Sequence, residues 1–314
     1  MTYIFSIESL VTPLHDLIAP PLTSKLLKYC MESKIPRKKL NSHSNITYTQ
    51  LSDGYKPLYS VGDSPLVLKS GFRYSGKIVV VSDDPSFLSN IDHEISCSGA
   101  YGNYVITVKE IEIYDMKYLT TNLSTLFKIV FTTPTILSVK LMTPPSLRSK
   151  VRKLPELHKL IPQPSFILSY LLKLWNSYAS PEERIPKPPY NEWAHYKLGR
   201  LADITLTEID YRVRPETVII GKNKNGTLRK ARGFIGWVLY ESIAPKNLHT
   251  TYAKLLTLAT LTGIGRSRGL GLGQIKIINL TEHREEPNKT GDTEKDLQTT
   301  NQNSRTQLDL PTKQ

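Results

Sequence analysis

The sequence predicts an α+β protein of two domains in tandem. Three observations carry this: short runs of β-branched and aromatic residues alternate with amphipathic helical patterns, the alternation occurs in two successive cycles, and a proline-marked basic stretch separates the cycles. A chain of 314 residues is long enough for two such domains, each with its own core.

The first cycle opens on residues 2–7, where Tyr3, Phe5 and Ile7 alternate with Thr2, Ile4 and Ser6 as in a strand, and Pro13 limits its extension. After Pro20 and Pro21 the pattern turns helical. Thr23 or Ser24 is placed to cap this helix, and Leu26, Leu27 and Cys30 form a short apolar face before Pro36. Residues 34–55 read as an exposed polar loop in which Arg37, Lys38 and Lys39 are suited to a phosphate backbone. Strand-like segments at 77–81, 104–114 and 126–131 complete a first domain, residues 1–142. Residues 143–164, with Arg148, Lys150, Arg152, Lys153 and Lys159, read as a basic linker.

The second domain, 165–280, begins with a helix whose Phe166, Ile167, Tyr170, Leu171, Leu174, Trp175 and Tyr178 recur at three- and four-residue steps. A strand follows at 207–214 and another at 233–240. Leu248, Tyr252, Leu255 and Ala259 then mark a helix, and 275–278 a last strand. Residues 281–314 are polar and are expected to be disordered.

Composition narrows the function. The net charge is +13, and the acidic tail leaves 36 basic against 21 acidic groups in the first 280 residues, so the excess belongs to the folded part and favours polyanionic partners. No apolar run approaches the roughly 20 residues of a membrane span and the start lacks a signal-peptide pattern, so a cytoplasmic protein is expected. Cys30 and Cys97 are too few for a disulfide framework or a zinc site and are expected to be buried thiols. The remaining histidines show no metal-like spacing, and neither metal nor cofactor is expected.

The segment GIGRSRGLGLG, residues 263–273, holds Gly263, Gly265, Gly269, Gly271 and Gly273 with Arg266 and Arg268 between them. Glycines allow backbone N–H groups to approach a ligand, and guanidiniums fork onto phosphate oxygens. Spacing excludes a dinucleotide fingerprint, because a helix precedes the loop and a strand follows it, and excludes a Walker loop, because the segment ends Gly-Gln. A loop that only packs tightly is the other reading.

With TPTILSVKL (133–141) and GTLRKARGFIGW (226–237), this loop resembles the CRISPR-associated endoribonucleases that process precursor guide RNA, the sixth Cas protein family of the RAMP superfamily, in its archaeal form. The resemblance implies two tandem ferredoxin-like (RRM-like) domains with a C-terminal glycine-rich loop. It also implies metal-independent cleavage of CRISPR repeat RNA by 2′-hydroxyl attack, leaving a 2′,3′-cyclic phosphate. CRISPR repeat RNA is thus the implied partner; an effector complex and a homodimer are possible further assemblies, and no membrane is involved.

Many members of the family use a histidine in the first domain, but His15 and His43 do not align with it. Lysines take its place in the archaeal form. Lys25 and Lys28, three residues apart on one helix face, with Lys56 and Arg232, are therefore the expected catalytic cations, Arg229 being ranked below Arg232 and assigned with the glycine-rich loop to RNA binding. Two lysines near a helix N-terminus repel the dipole, and a phosphate held by free N–H groups there would reverse the sign. The second reading is a non-catalytic subunit that holds repeat or guide RNA.

Overall fold

The computed structural model describes residues 1–32, 34–35, 45–62, 65–186, 193–223 and 225–280. Thirteen strands and five helices are found among them: β1 (Tyr3–Pro13), β2 (Leu17–Ala19), α1 (Ser24–Met31), β3 (Asn45–Tyr48), β4 (Leu66–Leu68), β5 (Tyr74–Ser82), β6 (Glu94–Gly99), β7 (Gly102–Asp115), β8 (Leu126–Thr135), β9 (Leu137–Ser138), α2 (Arg148–Arg152), β10 (His158–Lys159), α3 (Pro164–Tyr178), α4 (Ala194–Thr205), β11 (Leu206–Lys222), β12 (Leu228–Ser242), α5 (Lys246–Thr262) and β13 (Ile275–Leu280).

Two antiparallel sheets organise them, in the orders β3-β5-β1-β7-β6 and β11-β12-β8-β13. In both, the second, third, first and fourth strands of the sheet lie side by side, which is the order of the ferredoxin-like β-α-β-β-α-β arrangement; the first sheet adds β6 at its edge. The first half carries a short 3₁₀ turn, residues 86–90, where the second half carries α5.

Strand alternation sends Phe5 and Ile7 into one core with Leu26 and Leu27 of α1, and Ile4 to the opposite face, where it joins the core of the second half. The second core lies between its sheet and α3 and α5. Phe127, Ile129 and Phe131 of β8 point into it. This strand therefore belongs to the second sheet, and the expectation that it completes the first domain is not met. Alternation shows which side of a strand is buried but not which neighbour it pairs with.

Three further expectations change. Residues 143–164 are not a bare linker: α2 forms, β10 pairs with β9, and the Tyr240 hydroxyl donates to the Pro162 carbonyl. The polar stretch 34–55 contains β3 and the buried Leu51. Cys30 and Cys97 are joined in a disulfide whose Cα atoms are 5.7 Å apart, tying α1 to β6. Helix α4 was not expected, because its buried face consists only of Leu198, Gly199, Ala202 and Thr205, too small a stripe to stand out. The tail beyond residue 280 lies outside the described residues, as do Arg37, Lys38, Lys39 and His43.

No helix among the described residues is long and apolar enough to cross a membrane. Nor do they contain a group of three or more His, Cys, Asp or Glu placed to hold a metal ion.

Candidate active site

Helix α1 begins where the two halves meet. Thr23 is its N-cap residue but does not cap with its side chain: the hydroxyl donates to the Leu58 carbonyl (2.7 Å) and accepts from the Leu51 N–H (2.8 Å). The first N–H groups are occupied by other partners. Ser24 donates to Gln50 Oε1 (3.1 Å), Lys25 to the Leu22 carbonyl (3.1 Å) and Leu26 to the Thr23 carbonyl (3.0 Å). The expected phosphate seat on free N–H groups is therefore absent, and an anion here must be held by side chains.

Gln50 is the link that sequence reasoning missed. Its Nε2 donates to the Leu270 carbonyl (2.6 Å), to which the Ser24 hydroxyl also donates (2.7 Å), so the glycine-rich loop is fastened to the start of α1. Partners 220 residues apart leave no local signal in the chain. A small apolar cluster of Leu22, Ile136, Val218, Ala231 and Leu272 lies beneath this junction.

Lys25 is half-buried, and its ammonium lies 3.9 Å from where a Cβ on Gly221 of β11 would stand. Burial lowers its pKa, and the charge of Lys28 lowers it further. Lys28 itself has Glu32 at 3.9 Å, one turn on. Lys56 sits on an exposed turn that Asp53 Oδ1 closes by accepting from the Lys56 N–H (3.1 Å).

The β11–β12 register separates the two arginines. Gly221 is opposite Arg229, and the buried Ala231, two residues along, packs with Leu22 just before α1. Arg229 thus shares the face of β12 that turns toward Lys25, while Arg232, opposite Thr217, is exposed on the other face. The arginine ranked second is thus the one on the Lys25 side. It could not be read in advance, since it depends on Ala231 packing with Leu22, far away in the chain.

In the glycine-rich loop the backbone approaches its own chain rather than an open surface. A Cβ on Gly271, where φ is +74°, would stand 2.5 Å from Gln50 Nε2 and 2.9 Å from the Tyr48 carbonyl, and one on Gly273 would collide with the Ile264 carbonyl. One on Gly265 would collide with the Ile136 carbonyl, and Gly263 ends α5 close to Gly273; only Gly269 has ordinary room, with Ile46 O at 3.5 Å. Four of the five glycines expected to contact RNA are thus also required where the loop packs on its own chain.

Arg268 is likewise turned inward. It is 8% exposed, donates to the Tyr178 hydroxyl (3.1 Å) and the Thr262 carbonyl (3.2 Å), and stands 5.9 Å from the centre of the Tyr170 ring. Arg266 is the one that reaches outward, paired with Glu156 at 2.6 Å. It borders a cavity of about 540 Å³ lined also by Lys140, Arg148, Arg152 and Lys173. We expect Arg268→Ala to destabilise the fold by about 2 kcal/mol, because buried hydroxyl and carbonyl groups lose a charged donor. Arg266→Ala should leave the midpoint of thermal unfolding nearly unchanged; equal midpoints for the two variants would refute the contrast.

Comparison with known proteins follows this geometry. Residues 5–114 match the Cas6 N-terminal domain and residues 129–275 match the CRISPR-associated endoribonuclease Cas6. Two proteins of Saccharolobus solfataricus are similar over most of their length: CRISPR-associated endoribonuclease Cas6 2 is 29% identical, covering 88% of this chain and 96% of its own, and Cas6 1 is 28% identical, covering 88% and 97%. The solved structure of Thermus thermophilus Cas6 superposes with a TM-score of 0.56 at 14% identity, over 88% of this chain and 98% of its own.

Proposed function

Since the chain belongs to the CRISPR-associated endoribonuclease Cas6 family, we propose a mechanism in which it cuts CRISPR repeat RNA at the junction described above, without a metal ion. The enzyme is an endoribonuclease that binds precursor CRISPR transcripts and processes them. Lys25 and Lys28 flank the scissile phosphate, and Arg229 approaches it from β12. Lys56 extends the cationic path, and Arg232 contacts RNA from the outer face of the hairpin. Arg266 and its basic cavity hold a phosphodiester away from the cut.

In the reaction the 2′-oxygen attacks phosphorus and the P–O5′ bond breaks. The 2′-hydroxyl proton passes to solvent or to a neutral amine, and the leaving 5′-oxygen gains one, giving a 2′,3′-cyclic phosphate and a 5′-hydroxyl. The ammonium groups offset the extra negative charge of the phosphorane, a role that a half-buried Lys25 performs better than an exposed lysine because water screens it less. The observation that carries this reading is the position of Lys25: held by α1, beside Lys28, against β11.

We further propose that the enzyme is cytoplasmic, that it passes its product to a CRISPR effector complex, and that its two folding halves divide between Asp115 and Leu126 rather than at residue 142. The test of the reaction is end-labelled repeat RNA incubated in excess EDTA. A single cut leaving a cyclic phosphate is expected. Tight binding with no cut would favour the non-catalytic subunit, and a cut restored only by added magnesium would overturn the metal-free route.

A further inference from the structure

Helix α1 carries a third outward residue beside its lysines. Tyr29 lies one turn beyond Lys25, on the neighbouring surface, and is 53% exposed. Its ring stacks on Tyr101, from the turn between β6 and β7, with centroids 5.7 Å apart and planes at 24°. The two rings border a cavity of about 400 Å³ that Ser96, Ser98, Gly99 and Tyr104 also line. This cavity lies outside the groups used in the cleavage mechanism.

Three features make it a built site rather than a chance hollow. Its wall is β6, the outermost strand of the first sheet, whose outer backbone N–H and C=O groups have no neighbouring strand among the described residues. The hairpin that carries Tyr101 is held to α1 at two points, by the Cys30–Cys97 disulfide and by the Tyr104 hydroxyl donating to the Leu26 carbonyl (2.9 Å). The pair of rings is therefore presented on a fixed frame, so a ligand that stacks there loses little to ordering the protein.

We propose that this cavity is a nucleobase subsite, taking the unpaired base of the nucleotide that adjoins the scissile phosphate. The inference rests on the placement of that phosphate at Lys25 and Lys28. A phosphate held there brings the base of its own nucleotide within reach of the next turn of α1, where an aromatic face is waiting. Single-stranded RNA is bound in this way, by stacking on aromatic rings and by hydrogen bonds to base edges. The rings are too close for a base to slide between them, which needs about 7 Å for two van der Waals contacts. The base stacks on their open side, and the free backbone groups of β6 receive its edge.

The subsite is tested with repeat RNA made uncleavable by a 2′-deoxy nucleotide at the cut, once wild-type protein has mapped that cut. In such RNA, 2-aminopurine is placed in turn at positions on either side. Binding to wild type is expected to change its fluorescence at one position adjoining the cut. Tyr101→Ala should abolish the change and Tyr101→Phe should retain it.

An abasic residue at that position should weaken binding to wild type by about 10- to 100-fold, and binding to Tyr101→Ala hardly at all. If the abasic penalty is the same in wild type and Tyr101→Ala, or if the responding position does not adjoin the cut, the subsite is refuted. Failure of the wild type to cut any repeat RNA would instead refute the placement on which it rests. Circular dichroism of Tyr101→Ala guards against reading a folding defect as lost stacking, and Tyr101→Phe keeps the test open should Tyr101→Ala fail to fold.

Discussion

Replacing Lys25 and Lys28 together by alanine should slow cleavage of repeat RNA by about 10²- to 10³-fold at saturating RNA, the scale on which groups that stabilise a transition-state charge act. Affinity should fall far less, since Arg266 and the remaining cations still bind the backbone. Single-turnover rates and binding curves for the same RNA separate the two quantities. An equal loss in both would mark the lysines as binding groups and favour the non-catalytic subunit.

The pH profile distinguishes how Lys25 acts. Its pKa is lowered by burial and by the Lys28 charge, so it loses its proton at lower pH than an exposed lysine. With the 2′-hydroxyl proton leaving to solvent, a charge-stabilising Lys25 makes the rate of wild type fall below that of Lys25→Arg as pH rises through that depressed value. A Lys25 acting as base makes the rate rise up to the same value and then level. We expect the fall, in single-turnover rates measured toward alkaline pH, and we expect Lys25→Arg to retain activity there because a guanidinium keeps its charge. An inactive Lys25→Arg would reassign Lys25 to proton transfer, since a guanidinium keeps the charge but cannot take up a proton.

What could be read in advance follows from what local pattern encodes. Helices α1, α3 and α5 were legible because Leu26, Leu171 and Leu255 each sit in an apolar stripe that must face a core. The partner of β8 was not legible, because Phe127, Ile129 and Phe131 would bury equally well against either sheet. The glycine-rich loop was located correctly, yet glycines permit a close approach without saying whether ligand or chain approaches. Here Ile264, Ile136 and Gln50 do. The same holds for arginines: position along the chain does not reveal that Arg268 turns toward Tyr178 while Arg266 turns out. Lys25 and Lys28 were visible as a pair because helical spacing is local. Arg229 was ranked below Arg232 because the chain alone does not say which face of β12 turns toward Leu22 and α1.

Cys30 and Cys97 make the same point and carry the second large effect. Their separation of 67 residues hides the pair in the sequence, but the cross-link spans most of the first half, from α1 to β6. Closing a loop of that length lowers the entropy of the unfolded chain by an amount worth about 4 kcal/mol in the chain-entropy model. Cys97→Ser in oxidised protein should therefore lower unfolding stability by about that amount, measured by denaturant titration, with a steeper slope because the unfolded chain expands without the cross-link. Reduction of the wild type should reproduce the loss, while reductant should leave the variant as it was.

Stability and function are then expected to separate. The hairpin tied by Cys97 carries Tyr101 but none of the cleavage cations, so at temperatures where the variant stays folded its loss should fall on discrimination at the base beside the cut more than on the cleavage step. A variant as stable as wild type, or a wild type whose stability does not respond to reductant, would show that the two sulfurs are not joined in solution. In that case the frame that holds Tyr101 against Tyr29 would rest on Tyr104 and the sheet alone, and the stacking pair would be correspondingly looser.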